Sequence, residues 1–344
     1  MIRSWLEISP ERIRHNVTAI SRRLDPSCEI IAVVKADAYG MGVREFVRAL
    51  LLGGVCRFAV ATAEEGVAVR AQTPEAEILV LGGVQQGEEK LFATHHLTAA
   101  LFDERPLPPD VAVHVKVNTG MNRLGLSPAA ARRKVIELGS RVRAVFSHLA
   151  SAGSDPEFTR LQLERFLKAV EGLEVPRHLS NSAGLKFSEA SLEAVRVGLA
   201  LHGIDQECDL GLRPVMKWKT RLLSTLEVAR GEGVGYDRIF VTDRPTRLGV
   251  LPVGYADGYP SLLAGRVQVM VGECPVPLVG RLSMDLAAVD LTDAPDACRG
   301  AEAVLISSQP DSPVGVPNLC RLGGLSPWEL LTGIGSRVER LYIS

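Results

Sequence analysis

A lysine and a tyrosine stand four residues apart in the segment AVVKADAYGMG, residues 32–42. Lys35 follows an apolar run, and Tyr39 lies in the glycine-flanked turn after it. Burial at a strand end disfavours the charged form of a lysine and lowers its pKa. Such a lysine is suited to Schiff-base chemistry with a carbonyl compound. The alternative, from this segment alone, is a surface lysine that ends a strand.

A second polar group lies in HVKVNTGMNRLG, residues 114–125. In an extended strand His114, Lys116 and Asn118 point to one side, because side chains alternate. Lysine is almost never fully buried without a partner. We therefore expect these residues to form a structural polar network or to line a site, with Arg123 in the glycine-containing loop that follows.

Several later segments place polar groups after apolar runs. NSAG and VGLA would present backbone N–H groups to a phosphate. Farther along, glycine-rich turns contain tyrosines, which can do acid–base work, although tyrosines packed at hairpin turns are the alternative. The residues singled out in these segments are His148, Asn181, Ser182, Arg196, Gly198, His202, Tyr236, Tyr255, Met284 and Asp285.

The elements that must position these residues begin with eight apolar runs, spaced about 25 residues apart. They are nearly continuous in apolar residues, which is typical of parallel strands covered on both faces. Helical patterns lie between them, and Ser127 and Asp155 are good N-caps. Eight such units in about 200 residues predict a TIM-type (β/α)8 barrel, with a doubly wound sheet as the alternative. The runs are 30–34, 57–61, 77–81, 97–101, 111–117, 142–148, 177–181 and 194–199.

The composition of the chain changes at about residue 213, where β-branched residues, glycine and proline become frequent. From there to about residue 317 the sequence shows no convincing helical pattern. This pattern indicates a mostly β domain. We therefore predict an α/β barrel over residues 8–212, followed by a β domain over residues 213–344.

Composition excludes several classes of protein. The 344 residues include 39 basic and 40 acidic ones, so no general attraction to nucleic acid or anionic lipid is expected. No apolar stretch approaches the roughly 20 residues of a membrane helix, and the first residues do not resemble a signal peptide. We expect a cytoplasmic protein. The six cysteines have no CxxC spacing, so we expect no metal site and mainly buried, free thiols.

Taken together, the segments resemble the alanine racemase family, the fold-type III enzymes that depend on pyridoxal 5′-phosphate (PLP). The resemblance runs from WLEIS near the start to SRVERLY near the end, and AVVKADAYG, NTGMNRLG, NSAG, VGYADGYP and GRLSMD occur in the family's order. It implies an isomerase that interconverts L- and D-alanine and supplies D-alanine for peptidoglycan. It also implies a homodimer whose active sites are shared between subunits, with residues 1–7 as a strand packed on the β domain.

The resemblance further implies a role for each matching residue. Lys35 would hold PLP covalently and act as one base, and the partner subunit's Tyr236 would be the other. Lys116 matches a position that is carbamylated in many members. The resemblance implies that Tyr39, Ser182, Gly198 and Leu199 bind the phosphate, that Arg196 bonds to the pyridine nitrogen and that His148 bonds to Arg196. It also implies that Arg123 contacts the phenolic oxygen of PLP and the substrate carboxylate, and that the Met284 backbone N–H bonds to that carboxylate. Tyr255 would lie at the entrance of the site.

Two positions depart from the family pattern. Met41 replaces the histidine of the usual YGHG, and Trp328 stands where a tyrosine commonly reaches the phosphate. Three alternatives share the cofactor: a serine or broad-specificity racemase, a PLP-dependent amino-acid decarboxylase, and a PLP-binding barrel without catalysis. The full β domain with Tyr236 argues against the last.

Overall fold

The computed structural model describes residues 3–343, which divide into two compact units. Residues 13–38 and 42–212 form the first, the barrel unit. The second, the β unit, comprises the other described residues, which include 39–41 and 213–343. Within the described chain no helix combines the length and the apolar character that a membrane crossing requires.

The first elements along the chain are β1 (Ser4–Ile8), which belongs to the β unit, and α1 (Pro10–Ser21). The barrel unit then contains eight strands that pair in parallel, in chain order, and close where β2 meets β9. The predicted barrel is therefore confirmed. The strands are β2 (Glu29–Val33), β3 (Arg57–Val60), β4 (Glu77–Val80), β5 (Thr98–Leu101), β6 (Val113–Lys116), β7 (Val142–Phe146), β8 (Arg177–His178) and β9 (Ala194–Val197).

The segments between the strands contain α2 (Lys35–Gly40), α3 (Val43–Leu52), α4 (Ala63–Arg70), α5 (Glu89–Thr94), α6 (Pro128–Leu138) and α7 (Pro156–Val170). The two predicted N-caps are present. Ser127 accepts a hydrogen bond from the Ala130 N–H, and Asp155 accepts one from the Phe158 N–H. Each side chain thereby satisfies one of the N–H groups that a helix leaves unpaired at its start.

The β unit contains a nine-stranded sheet with the order β11-β14-β17-β16-β15-β18-β10-β1-β19, plus the hairpin β12-β13. The first strand, β1, pairs antiparallel with β10 and parallel with β19. The buried Trp218 donates its indole N–H to Ser4 Oγ at 2.7 Å, which ties β10 to β1. The elements are β10 (Met216–Arg221), β11 (Ser224–Val228), β12 (Gly233–Val234), β13 (Phe240–Val241), β14 (Thr246–Leu251), β15 (Gln268–Val271), β16 (Cys274–Val279), β17 (Ala287–Asp290), β18 (Glu302–Ile306), α8 (Val316–Gly323), α9 (Pro327–Thr332) and β19 (Glu339–Tyr342).

Two sequence-based expectations differ from the structure. The seventh barrel strand is only the two residues of β8, because the chain turns away into NSAG. The expectation of mainly buried thiols is wrong: all six cysteines are free, but Cys320 alone is buried, two are partly buried and three are exposed. The five that are not buried lie in loops or at the first residue of β16, outside the apolar interior. The exposed ones are Cys56, Cys274 and Cys298.

Candidate active site

Lys35 opens α2, which is a left-handed helical turn just after β2 and not an ordinary right-handed helix. Residues 36–39 have φ between 52° and 56°, and Gly40 continues the turn with φ 80°. For residues with a Cβ this conformation costs about 1–2 kcal/mol each, and such strain is concentrated at functional sites. The sequence suggested only a glycine-flanked turn here, because Asp37 is the single residue of ADAY whose type is enriched in this conformation.

The start of the left-handed turn is held by a carboxylate that the sequence analysis did not single out. Glu65 accepts hydrogen bonds from the Ala36 N–H at 2.6 Å and from the Ala61 N–H at 2.7 Å. The spacing of Thr62 and Glu65 is that of a capping box, a signal that could have identified this residue. Glu65 thus connects the N-terminus of α4 to the residue after Lys35.

The end of the same turn is held within the β unit. The Gly40 carbonyl accepts a hydrogen bond from Arg340 Nε at 2.9 Å, and the Met41 carbonyl accepts one from the Tyr342 hydroxyl at 3.0 Å. A Cβ on Gly40 would lie 2.9 Å from the Leu331 carbonyl oxygen, so only glycine fits there. Tyr39 is buried, and burial raises the pKa of its hydroxyl to about 12.

Four cations act on one another in the barrel unit: Lys35, Lys116, Arg123 and Arg196. Lys35 is exposed, but its partial desolvation lowers its pKa, and the Arg123 charge adds to that effect, while Glu65 opposes it. Lys116, at the end of β6, is 7% exposed, and burial together with the three other cations lowers its pKa to about 8. Lys116 and Arg196 are buried, whereas Lys35 and Arg123 are exposed, and this group of neighbouring positive charges is suited to bind an anion.

Arg196 is the buried centre of this group. On β9, it donates from one terminal nitrogen to His178 Nδ1 at 2.7 Å, and from the other to the Ser147 carbonyl at 2.7 Å and to His148 Nδ1 at 3.0 Å. Burial lowers the pKa of Arg196 to about 9 and holds the pKa of both histidines well below their usual range. The Nε–H group of Arg196 has no hydrogen-bond partner among residues 3–343.

The two glycine-containing segments predicted to bind phosphate meet at Ser182. Its Oγ accepts hydrogen bonds from the Gly198 and Ala200 N–H groups, both at 3.2 Å. Leu199 begins a short 3-10 turn at the same place. The NSAG segment is fixed by Asn181, whose side chain accepts from the Gly184 N–H at 2.9 Å and donates to the Leu149 carbonyl. In this structure the Gly198 N–H group is therefore directed at Ser182.

The β unit contains the other predicted residues, all at its surface. Tyr236 is 68% exposed at the end of the β12-β13 hairpin, where Asp237 pairs with Arg281 at 3.0 Å. The Tyr255 N–H donates to the Ser283 carbonyl at 3.2 Å, so the turns carrying Tyr255 and Met284 lie together.

The polar strand residues of 114–118 do not form one group. His114 and Lys116 are buried, but Asn118 bonds within its own loop, to Asn122 and to the Gly120 N–H. His202, also singled out, is buried and stacks on Phe46 at 4.6 Å between ring centroids.

Comparison with known proteins identifies the whole chain. Residues 8–206 match the family model of the alanine racemase N-terminal domain, and residues 215–342 match that of the alanine racemase C-terminal domain. The chain belongs to the alanine racemase family. The fold class, the enzyme class, the activity and the PLP cofactor predicted from the sequence are confirmed with it.

Full-length relatives agree with this assignment. The alanine racemase of Aquifex pyrophilus is 37% identical over 352 residues, which cover 100% of this chain and 99% of the relative. That of Halothermothrix orenii is 35% identical over 365 residues, 98% of this chain and 96% of the relative. The crystal structure of the biosynthetic alanine racemase from Pseudomonas aeruginosa superposes with a TM-score of 0.91 at 36% identity, covering 100% of both chains. The alanine racemase from Bartonella henselae with covalently bound PLP superposes with a TM-score of 0.90 at 28% identity, covering 99% of both.

Proposed function

We propose that this alanine racemase holds PLP in its barrel unit and that Lys35 and the partner subunit's Tyr236 carry the two proton transfers at the substrate Cα. In this proposal residues 8–212 are the cofactor domain, and residues 213–344 with the N-terminal strand supply the second base. The observation that carries it is Arg196, whose two terminal nitrogens are occupied while its Nε–H is left for a ligand acceptor.

The donors in the barrel unit fit the chemical groups of PLP. Arg196 Nε suits the pyridine nitrogen as an acceptor, the cations around Lys116 suit anionic oxygens, and the Ser182 hydroxyl can still donate its own hydrogen to a phosphate. PLP, when bound, supplies the electron sink that accepts the electron pair left behind when the Cα proton departs.

The Arg196 network favours an unprotonated pyridine nitrogen. Even with its pKa lowered to about 9, Arg196 remains charged at neutral pH, so it donates a hydrogen bond without giving up its proton. The neutral His148 and His178 can only accept from it. Limiting the charge that builds up on the ring favours return of the proton to Cα over side reactions such as transamination.

Racemisation requires a base on each face of Cα. The lowered pKa of Lys35 increases the neutral fraction that can accept a proton. Tyr236 is largely exposed on its own subunit, which supports a position where it completes the partner's site. Arg123 and the Met284 N–H would hold the substrate carboxylate, with Tyr255 at the entrance.

Borohydride reduction followed by peptide mapping tests the covalent attachment. The pyridoxyl group should appear on Lys35. Label on a different lysine, or no label in protein that contains PLP, would contradict the assignment.

Mixing two inactive variants tests the shared dimer. In a hybrid of Lys35→Ala and Tyr236→Phe chains, one site regains both bases. Random re-pairing of equal amounts makes half the dimers hybrids, so about a quarter of the sites of the unmodified enzyme should return. The control mixes Lys35→Ala with a chain that carries both substitutions, which can restore no site. Absence of recovery despite demonstrated subunit exchange would rule out sharing.

Supply of D-alanine for peptidoglycan and a cytoplasmic location belong to the same proposal. Expression of the gene in a bacterium that requires D-alanine should permit growth without it. Failure of the active enzyme to support growth would contradict this role, and cell fractionation tests the location.

A further inference from the structure

A continuous row of hydrogen bonds, buried except at its Glu77 end, crosses the barrel interior from β4 to β9. Glu77 Oε1 lies 2.6 Å from His114 Nε2, and His114 Nδ1 lies 2.8 Å from His178 Nε2. His178 Nδ1 then meets Arg196 at 2.7 Å. The His178 ring stacks on Phe146 with 8° between the planes, which fixes its orientation. The row therefore connects a carboxylate at the start of β4 to the guanidinium proposed to face the cofactor.

The row has one possible direction. An arginine only donates, so His178 Nδ1 must accept and His178 carries its hydrogen on Nε2. His114 Nδ1 accepts that hydrogen, and His114 in turn donates from Nε2 to Glu77. Burial lowers the pKa of both histidines, so each is neutral and holds a single ring hydrogen.

Both oxygens of Glu77 are committed as acceptors. Oε1 faces His114, and Oε2 accepts from Arg57, which is 2.6 Å away at its nearest nitrogen. Although burial opposes ionisation, the hydrogen bond from His114 and the charge and hydrogen bond of Arg57 lower the pKa of Glu77. The carboxylate is thus ionised at neutral pH and accepts hydrogen bonds on both sides.

We infer that Glu77 is a positioning residue that, through His114 and His178, fixes the hydrogen-bond pattern of Arg196 and keeps its Nε–H directed at the cofactor. The inference rests on the proposed function of Arg196. It goes beyond the residues that touch substrate or PLP, because Glu77 reaches the site through two other side chains.

The variant Glu77→Gln separates the two acceptors. A glutamine has one oxygen and one NH2 group, and Arg57 always donates. If the oxygen faces Arg57, the NH2 faces His114 and forces its hydrogen onto Nδ1. His178 must then carry its hydrogen on Nδ1 as well, where it opposes the N–H of Arg196. A single change of oxygen to NH2 is thereby transmitted to the guanidinium.

The tautomers are measurable in the holoenzyme by two-bond 1H–15N correlation spectra of 15N-histidine-labelled protein, assigned with single histidine variants among the seven histidines. In the unmodified enzyme, both His114 and His178 should carry hydrogen on Nε2. In Glu77→Gln, both should switch to Nδ1. The matched control is Glu29→Gln, which also contacts Arg57, at 2.6 Å, but not His114, and should leave both tautomers unchanged.

Cofactor affinity provides the second measurement. Loss of one hydrogen bond to a charged group predicts a PLP dissociation constant about ten- to a hundredfold higher in Glu77→Gln, and an unchanged one in Glu29→Gln. A hydrogen on His178 Nδ1 in the unmodified enzyme overturns the inference without any variant. Unswitched tautomers in Glu77→Gln, or switched tautomers with unchanged affinity, also overturn it. If Arg196→Gln likewise leaves PLP affinity unchanged, the failure lies in the proposed function of Arg196.

Discussion

We predict that Lys116 reacts reversibly with carbon dioxide to form a carbamate. The fraction of Lys116 in this form should increase as the pH is raised from 6.5 to 8.5. Only the neutral amine is nucleophilic toward carbon dioxide. With a pKa of about 8, roughly a tenth of Lys116 is neutral at pH 7. At the ordinary lysine pKa, about four in ten thousand would be. The site therefore holds about 250 times more reactive amine than an ordinary lysine.

The same surroundings stabilise the product. The carbamate is an anion, and it would replace a buried cation beside Arg123 and Arg196.

Unmodified Lys116 also makes the free energy of unfolding depend on pH. Its folded pKa lies below its unfolded one, so the unfolded chain binds the extra proton between about pH 8 and 10.5, and stability rises with pH across that window. Carbamylation would replace this buried cation by an anion, and would thereby remove the destabilisation that the cation causes below about pH 8.

The assay is 13C NMR of the enzyme in 13C-labelled bicarbonate at a constant pressure of carbon dioxide. Conversion of the Lys116 ammonium group to the carbamate consumes one carbon dioxide and releases two protons. At a constant pressure of carbon dioxide the carbamate signal should therefore grow about a hundredfold per pH unit below pH 8 while occupancy is low, and it should be absent in Lys116→Met. A signal that persists in Lys116→Met, or no signal at pH 8.5 in the unmodified enzyme, would refute the reasoning.

Three further predictions concern single side chains. Trp328 is 42% exposed, and its indole N–H has no hydrogen-bond partner within residues 3–343. Trp328→Tyr should therefore tighten PLP binding or leave it unchanged. PLP binding weakened tenfold or more in a folded variant would contradict this. The Tyr259 hydroxyl is buried without a hydrogen-bond partner in the described chain. Tyr259→Phe should therefore leave the free energy of urea unfolding unchanged or raise it. A decrease of more than about 1 kcal/mol would show that the hydroxyl is paired. Ser127→Ala should lower that free energy by about 1 kcal/mol because α6 loses its N-cap, whereas Ser127→Thr, which keeps the hydroxyl, should retain most of it.

The order of the elements and the identity of the family could be predicted from the sequence, because both depend on local patterns. Continuous apolar runs mark strands covered on both faces, and Ser127 and Asp155 mark helix starts wherever the chain goes next. The motif around Lys35 depends on consecutive residues as well. These signals need no knowledge of which segments meet in space.

The conformation of the Lys35 turn and the partners of Arg196 were decided by the tertiary structure alone. Three of the four residues of ADAY have no preference for positive φ, and the left-handed turn is held by groups distant in sequence, such as Glu65 and Arg340. The alternation of side chains showed that His114 shares a face with Lys116. It did not show that His114 would bond to Glu77 and His178, residues 37 and 64 positions away. Which inward side chains meet across a barrel depends on closure and strand stagger, and those are fixed only when all eight strands pair.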